Sequence, residues 1–303
     1  MNKFYLIKED NENTRVDRWF KRNINDVPQS LIEKILRKGK LKVNNRKVKN
    51  SYKLKINDKV KVYDLNFVNK KNKVAKVRYV ASKKEISSSH EMFIENNDNF
   101  VVINKPAGIA VQSGTKSKRN LIDLLRNTIE FKDCTPFIVH RIDKETTGIL
   151  IVAKNRKYAQ LFTSLFRIRK IHKTYLGIVL GEVENKKGTY TDFLTSYEGE
   201  KKVNVKAITH FSIIDVNNNY SLLKLNPETG RKHQLRKQLL IHGHPILGDT
   251  KYRFLSSRPN KSDKLMLHAS KIKFSIAGVR YNFFADTPEA FKKNLKEKFL
   301  KIL

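Results

Sequence analysis

Between positions 91 and 303 the apolar residues fall in short runs bounded by Gly or Pro. Phe100-Val101-Val102-Ile103-Asn104, Gly148-Ile149-Leu150-Ile151-Val152 and Lys173-Thr174-Tyr175-Leu176-Gly177-Ile178-Val179-Leu180 are the clearest. Apolar runs of this length, closed by turn residues, predict buried strands. The helical stretches between them, Leu121 to Ile129 and Tyr158 to Phe166, are brief. A doubly wound parallel sheet needs regular strand–helix alternation, and none is present. The expected fold is therefore α+β, with a central, mostly antiparallel sheet and flanking helices.

The chain has 303 residues, of which 39% are hydrophobic. That length suggests two domains, and that composition suffices for a packed core. No apolar run approaches the ~18 residues of a membrane span, and MNKFYLIKEDNENTR has no signal-peptide core. Cys134 is the single cysteine, so an intrachain disulfide and a cysteine-rich zinc site are excluded. A cytoplasmic protein with no membrane partner is expected. Lys+Arg number 63 against 29 Asp+Glu, a net charge of +34. A field of that sign suits a polyanion, with nucleic acid the first candidate. Part of the lysine content also fits an AT-rich genome.

The charge is uneven. Residues 1–90 carry 25 Lys+Arg and 9 Asp+Glu, and residues 91–303 carry the other 38 and 20. Net positive charge per residue is thus about double at the N-terminus. Ala81 to His90 is polar and serine-rich, without periodicity, and reads as a linker. The expected division is a domain over 1–81 (core 14–63), a linker over 82–90 and a second domain over 91–303.

In the first domain Val16, Trp19 and Phe20 fall at helical spacing. Asp26-Val27-Pro28 opens a second helix striped by Leu31, Ile32, Ile35 and Leu36, which Gly39 ends. Leu41 to Val48 alternates like a hairpin around an Asn-rich turn, and Asp58 to Tyr63 reads as a further strand. Two short basic helices followed by a small hairpin resemble the RNA-binding module named after ribosomal small-subunit protein four. The resemblance implies RNA contacts from Gln29, Ser30, Lys34, Arg37, Lys38 and Lys40.

The second domain lacks a Gly-x-Gly-x-x-Gly turn and a Gly-x-x-x-x-Gly-Lys-Ser/Thr loop. Dinucleotide and nucleoside-triphosphate chemistry are disfavoured, and so is a methyltransferase. His242-Gly243-His244 could offer two metal ligands on one face of a strand, but no third ligand lies near in sequence, so no metal is expected. Three segments join charged and rigid residues to apolar strands. In His140-Arg141-Ile142-Asp143-Lys144-Glu145-Thr146-Thr147-Gly148 an acid flanked by Arg and Lys stays ionised, a poor general acid but a usable nucleophile. In Lys173-Thr174-Tyr175 a tyrosine between basic residues could stack on a base. Thr229-Gly230-Arg231-Lys232-His233-Gln234-Leu235-Arg236 is basic at a helix start. Singly, each has an ordinary explanation: a cap, a packed ring, a solvated charge run.

Taken in order with Asn104-Lys105-Pro106-Ala107-Gly108 and Leu265-Met266-Leu267-His268-Ala269, these segments strongly resemble the RluA family of pseudouridine synthases over residues 91–290. Preceded by the basic module, they match the arrangement of the large-subunit ribosomal RNA branches, the RluC-like one more than the RluD-like one. The resemblance implies an isomerase that detaches uracil from ribose, rotates it and rejoins it through carbon 5, with no cofactor and no metal. It implies Asp143 as the catalytic carboxylate, attacking sugar or base or only assisting uracil departure. Tyr175 would stack on the uracil and help remove the carbon 5 proton. Arg231 would pair with Asp143, and Arg141 would enter the space left by the flipped base. Lys105 and Leu267 match positions near the cleft. The sequence departs from the family at Ile142, where Leu is common, and at Gln112 and Gln238, where His is frequent. The last two put RNA contacts in doubt. The implied partner is large-subunit ribosomal RNA or an assembly intermediate, met by a monomer. Action on transfer RNA and a non-catalytic assembly factor are the alternatives.

Overall fold

The computed structural model describes residues 3–25, 27–63, 90–112, 120–198, 201–217, 219–256 and 264–302. The chain divides into two compact units, Met1–Lys76 and Val77–Leu303. The expected linker over 82–90 lies outside the described residues except for His90, which opens a short 3₁₀ turn, His90–Met92.

The first unit contains β1 (Lys3–Leu6), α1 (Val16–Asn23), α2 (Gln29–Arg37), β2 (Leu41–Val43) and β3 (Lys59–Val62). Its three strands pair antiparallel in the order β1-β3-β2. Val16, Trp19 and Phe20 of α1 and Ile32, Ile35 and Leu36 of α2 are buried against Leu41, Val43, Val60 and Val62 of the sheet. Each such side chain removed from water is worth about 1.5–3 kcal/mol. Gly39 ends α2 as expected. At φ +69 it lets its own N–H reach Leu36 O and the Lys40 N–H reach Ile35 O, both at 3.0 Å, so the last carbonyls of the helix are satisfied.

The hairpin expected over 41–48 forms only in part. Asn44 and Asn45 supply the two left-handed residues of a tight turn, and Val43 and Arg46 exchange backbone hydrogen bonds. The chain then leaves the sheet, and the ladder partner of β2 is β3. Asp58 holds that pairing. Its carboxylate accepts from Asn44, from the Tyr52 hydroxyl and from the Lys55 N–H.

The second unit is dominated by a ten-stranded sheet. Its strands are β4 (Phe93–Asn96), β5 (Phe100–Lys105), β6 (Phe137–Ile138), β7 (Thr147–Ala153), β8 (His172–Leu180), β9 (Lys187–Glu198), β10 (Lys201–Asn217), β11 (Tyr220–Pro227), β12 (Leu267–Ile276) and β13 (Val279–Phe284). The main order is β4-β5-β7-β12-β8-β11-β10-β9, with β6 on β7 and β13 on β12. Every pairing is antiparallel except the short contact of β7 with β12.

The expected strands at 100–104, 148–152 and 173–180 are β5, β7 and β8. β5 and β7 read as unbroken apolar runs because both faces of the sheet are covered there. Val101, Ile103, Leu150 and Val152 meet Leu121, Leu125 and Phe131, from α3 (Leu121–Leu125) and the turn after it. Phe100, Val102, Ile149 and Ile151 meet Phe162 of α4 (Arg156–Arg167) and Phe274 of β12. The other half of the sheet is covered by Leu235 and Leu239 of α5 (Gln234–Ile241) and by Phe291 and Leu295 of α6 (Glu289–Glu297). The long polar strands β9 and β10 had no apolar run to announce them. Among the described residues no helix is long and apolar enough to cross a membrane.

Candidate active site

β7 and β12 run parallel for only two pairs, His268↔Thr147 and Ala269↔Gly148. The approach is close enough that a Cβ on Gly148 would lie 2.3 Å from Ala269 O, and Gly148 sits at φ +104. Glycine is therefore required where the strand begins. Beside it, the buried His268 ring bridges two elements. Its Nε2 is 3.0 Å from Ala285 O, so Nε2 carries the proton and Nδ1 accepts from the Thr147 hydroxyl at 2.8 Å. This junction fixes the base of the loop that carries Asp143.

The loop is pinned at three further points. The Thr146 N–H donates to Asp143 O at 3.2 Å. His140 Nε2 accepts the Ile151 N–H at 2.8 Å and its ring stacks on Phe166. Burial, with the Lys173 charge nearby, lowers that imidazole to about 3, so it is a neutral acceptor. Lys105 is fully buried, and its Nζ donates to Pro106 O at 2.7 Å, Lys144 O at 3.0 Å and Ile109 O at 3.1 Å. Burial lowers its amine to about 7, against the opposing pull of Glu145 and Asp143. The sequence places Lys105 near the cleft as a substrate-binding residue. The structure puts it fully buried beneath the loop, as a tie between backbone segments and outside the lining of the cleft.

Asp143 faces a cleft of about 620 Å³ lined by Arg141, Tyr175, Arg231, Arg236 and Leu267, among others. The expected Asp143–Arg231 pair is not what the structure contains. Asp143 Oδ2 lies 3.4 Å from Arg236 Nη1, and Oδ1 lies 3.7 Å from His233 Nε2. Arg231 precedes His233, whose backbone is left-handed at φ +54, and its Nε donates to Lys206 O at 3.0 Å. Arg236 lies inside α5, and its fork is already held by buried Asp249, Nε to Oδ2 and Nη2 to Oδ1, each at 2.7 Å. Only the outer nitrogen remains for Asp143. A buried bidentate pair of this kind fixes the guanidinium plane. The Asp249 carboxylate in turn accepts the Lys251 and Tyr252 N–H groups at 2.8 Å, and Tyr252 OH lies 2.8 Å from His233 Nδ1.

Tyr175 lies on β8, across from Ala269 of β12 and Leu225 of β11. Burial and then the Asp143 charge push its phenol well above its ordinary value, so the ring is neutral. Lys173, two residues earlier on the same face, is lowered to about 8 by burial. Arg141 is exposed at the rim, and Leu267 is buried at the cleft wall. Ile142 packs inward with Ile109 and Leu150.

Arg236, His233, Asp249 and Tyr252 have no assigned role in the sequence reading. Arg236 stands in the motif beside Arg231, and its position on the inner face of α5 with Leu235 and Leu239 is the signal that separates the two. Gln238, doubted above as an RNA contact, is fully buried and bonds Thr209 and Asp192. Gln112 is exposed. His242 and His244 follow a helix rather than share a strand face. His242 lies 3.2 Å from Asp192 and His244 3.1 Å from Leu180 O.

In the first unit Gln29, Ser30, Lys34, Arg37, Lys38 and Lys40 are all exposed. Ser30, Lys34 and Arg37 line one side of α2. Gln29 is tied through its amide to Asp17, which also holds Arg15.

Residues 99–240 match the family model described as RNA pseudouridylate synthase. The chain is 32% identical to the ribosomal large subunit pseudouridine synthase C of Vibrio vulnificus, over 89% of this chain and 87% of that protein. It is 32% identical to the protein of the same name from Rickettsia felis, over 94% of this chain and 96% of that protein. Among solved structures, human RNA pseudouridylate synthase domain containing 4 superposes with a TM-score of 0.61 at 25% identity, covering 71% of this chain and 96% of that one.

Proposed function

We infer what this chain does from the family to which it belongs, that of the RNA pseudouridylate synthases of the RluA type. It is an isomerase that converts uridines of large-subunit (23S) ribosomal RNA to pseudouridine, as the names of its relatives indicate. The observation that carries the site assignment is the convergence of Asp143, Arg236 and Tyr175 on one cleft inside the matched domain.

In this reading Asp143 is the catalytic carboxylate. Arg236, immobilised by Asp249, meets its Oδ2 at 3.4 Å and aims it into the cleft. The N-glycosidic bond breaks, the uracil turns, and carbon 5 joins the sugar before losing its proton. Tyr175 packs against the base and assists that last step. Burial first and the Asp143 charge second raise its phenol, so the ring meets the uracil uncharged. Arg141 occupies the space vacated by the flipped base, which offsets part of the unstacking cost of a few kcal/mol. Ser30, Lys34, Arg37, Lys38 and Lys40 hold the RNA backbone, and Arg231 adds charge at the cleft rim. In this reading the protein acts in the cytoplasm as a monomer, on ribosomal RNA or an assembly particle.

The test is release of tritium from RNA labelled at uridine carbon 5. Release from large-subunit transcripts, lost in Asp143→Asn, is the expected result. Release from transfer RNA alone would overturn the substrate. Tight binding without release from transcripts or partly assembled subunits would overturn the reaction.

A further inference from the structure

The three-stranded sheet of the N-terminal unit has two unlike faces. Tyr5, Leu41, Val43, Val60 and Val62 point toward α1 and α2 and form the core. The register sets the opposite face. Phe4 pairs with Lys61, Leu6 with Lys59, and Lys42 with Lys61, so these side chains share one side, with Tyr63 two residues beyond Lys61. Phe4 is 65% exposed and Leu6 is 56% exposed. Lys61 Nζ stands 5.0 Å from the Phe4 ring centroid and 4.9 Å from that of Tyr63, and Lys42 Nζ stands 5.5 Å from Tyr63. The three strands, Lys-Phe-Tyr-Leu, Leu-Lys-Val and Lys-Val-Lys-Val, contain no acidic residue.

We propose that this outer sheet face is a stacking platform for single-stranded RNA, separate from the exposed side of α2. Two rings flank one ammonium, with Lys59 further along the same strand and Lys42 on β2. Flat rings interleaved with cations match the chemistry of unpaired nucleotides, whose bases stack while their phosphates meet the lysines. A duplex offers phosphates but no free base faces, and an anionic peptide offers charge without flat rings. The proposal rests on the reading that RNA is the substrate. It adds that the enzyme holds an unpaired segment of that RNA on its N-terminal unit.

The test uses the full chain and a short oligoribonucleotide carrying 2-aminopurine, whose fluorescence is quenched by stacking. Phe4→Leu keeps an apolar side chain without a π face. Phe4→Trp keeps the face. Phe4→Leu with Tyr63→Leu is expected to weaken binding about tenfold or more and to relieve the quenching. Phe4→Trp should retain both. The salt dependence should not change in the leucine variants, because rings neutralise no phosphate, whereas Lys61→Gln should reduce the log–log slope by about 0.7. Thermal melts of the variants should match the parent, since both rings lie outside the core. Unchanged affinity and quenching in the double leucine variant would overturn the proposal. So would binding to anionic phospholipid vesicles that competes with RNA and tolerates leucine. Tritium release from ribosomal RNA, measured on the same preparations, keeps the two readings apart. Stacking without release refutes the proposed reaction on ribosomal RNA and leaves the platform, and release without stacking does the reverse.

Discussion

Two arginines five residues apart have opposite environments. Arg236 is buried between two carboxylates, and Arg231 lies at the exposed rim of the cleft. Arg236→Ala strands buried Asp249 without its counter-ion, which should cost about 3–5 kcal/mol in denaturant unfolding. Arg231→Ala should stay within about 0.5 kcal/mol. Tyr175→Phe removes the hydroxyl and keeps the ring. It should slow tritium release by ~10²–10⁴-fold while RNA affinity holds, if the phenol takes part in proton transfer. Lys105 makes a pH-dependent contribution. Its folded value of about 7 lies below its ordinary value of 10.5, so the unfolded chain binds the extra proton between those limits. Stability from this group is therefore complete above pH 10.5 and is lost as the pH falls through 7. The wild type minus Lys105→Met stability difference should grow from pH 7 to pH 10, and a flat difference would contradict the assignment.

At the level of elements, two glycines with positive φ should respond differently to alanine. At Gly39 the nearest obstacle is the flexible end of Lys47, at 2.8 Å, so Gly39→Ala should cost about 1–2 kcal/mol for the left-handed backbone alone. At Gly148 the obstacle is the backbone of β12, which cannot move without breaking the parallel contact. Gly148→Ala should destabilise by considerably more, and because β7 follows directly from the Asp143 loop, activity should fall with it. Unfolding midpoints of the two variants, compared side by side, check the ranking. The partial hairpin at 41–48 belongs at this scale too. Alternation and an Asn-Asn turn describe local geometry correctly, yet the ladder went to β3 because Asp58 ties that strand to Asn44.

For the whole molecule, the charge of +34 acts on association rather than on the chemical step. Charge reversal at Lys34, Arg37 and Lys38 together should weaken RNA binding and flatten its salt dependence by roughly 0.7–0.9 per lost contact. Single-turnover rates at saturating RNA should be unchanged. A collapse of that rate would mean that these residues act on more than binding.

Strand dominance, the antiparallel sheet, the ends of α2, and the cluster of Asp143 and Tyr175 motifs were all legible in the sequence. They depend on short-range periodicity, turn chemistry and motif order, which are local properties. The identity of the arginine facing Asp143 was not legible. Arg231 and Arg236 have the same chemistry, and the choice between them was made by the left-handed turn at His233 and by Asp249, over a hundred residues from Asp143 in the chain. The burial of Lys105 and of Gln238 was hidden for the same reason. Long polar side chains are ordinarily exposed, and only the packing of distant strands provides the carbonyls and carboxylates that make their burial affordable.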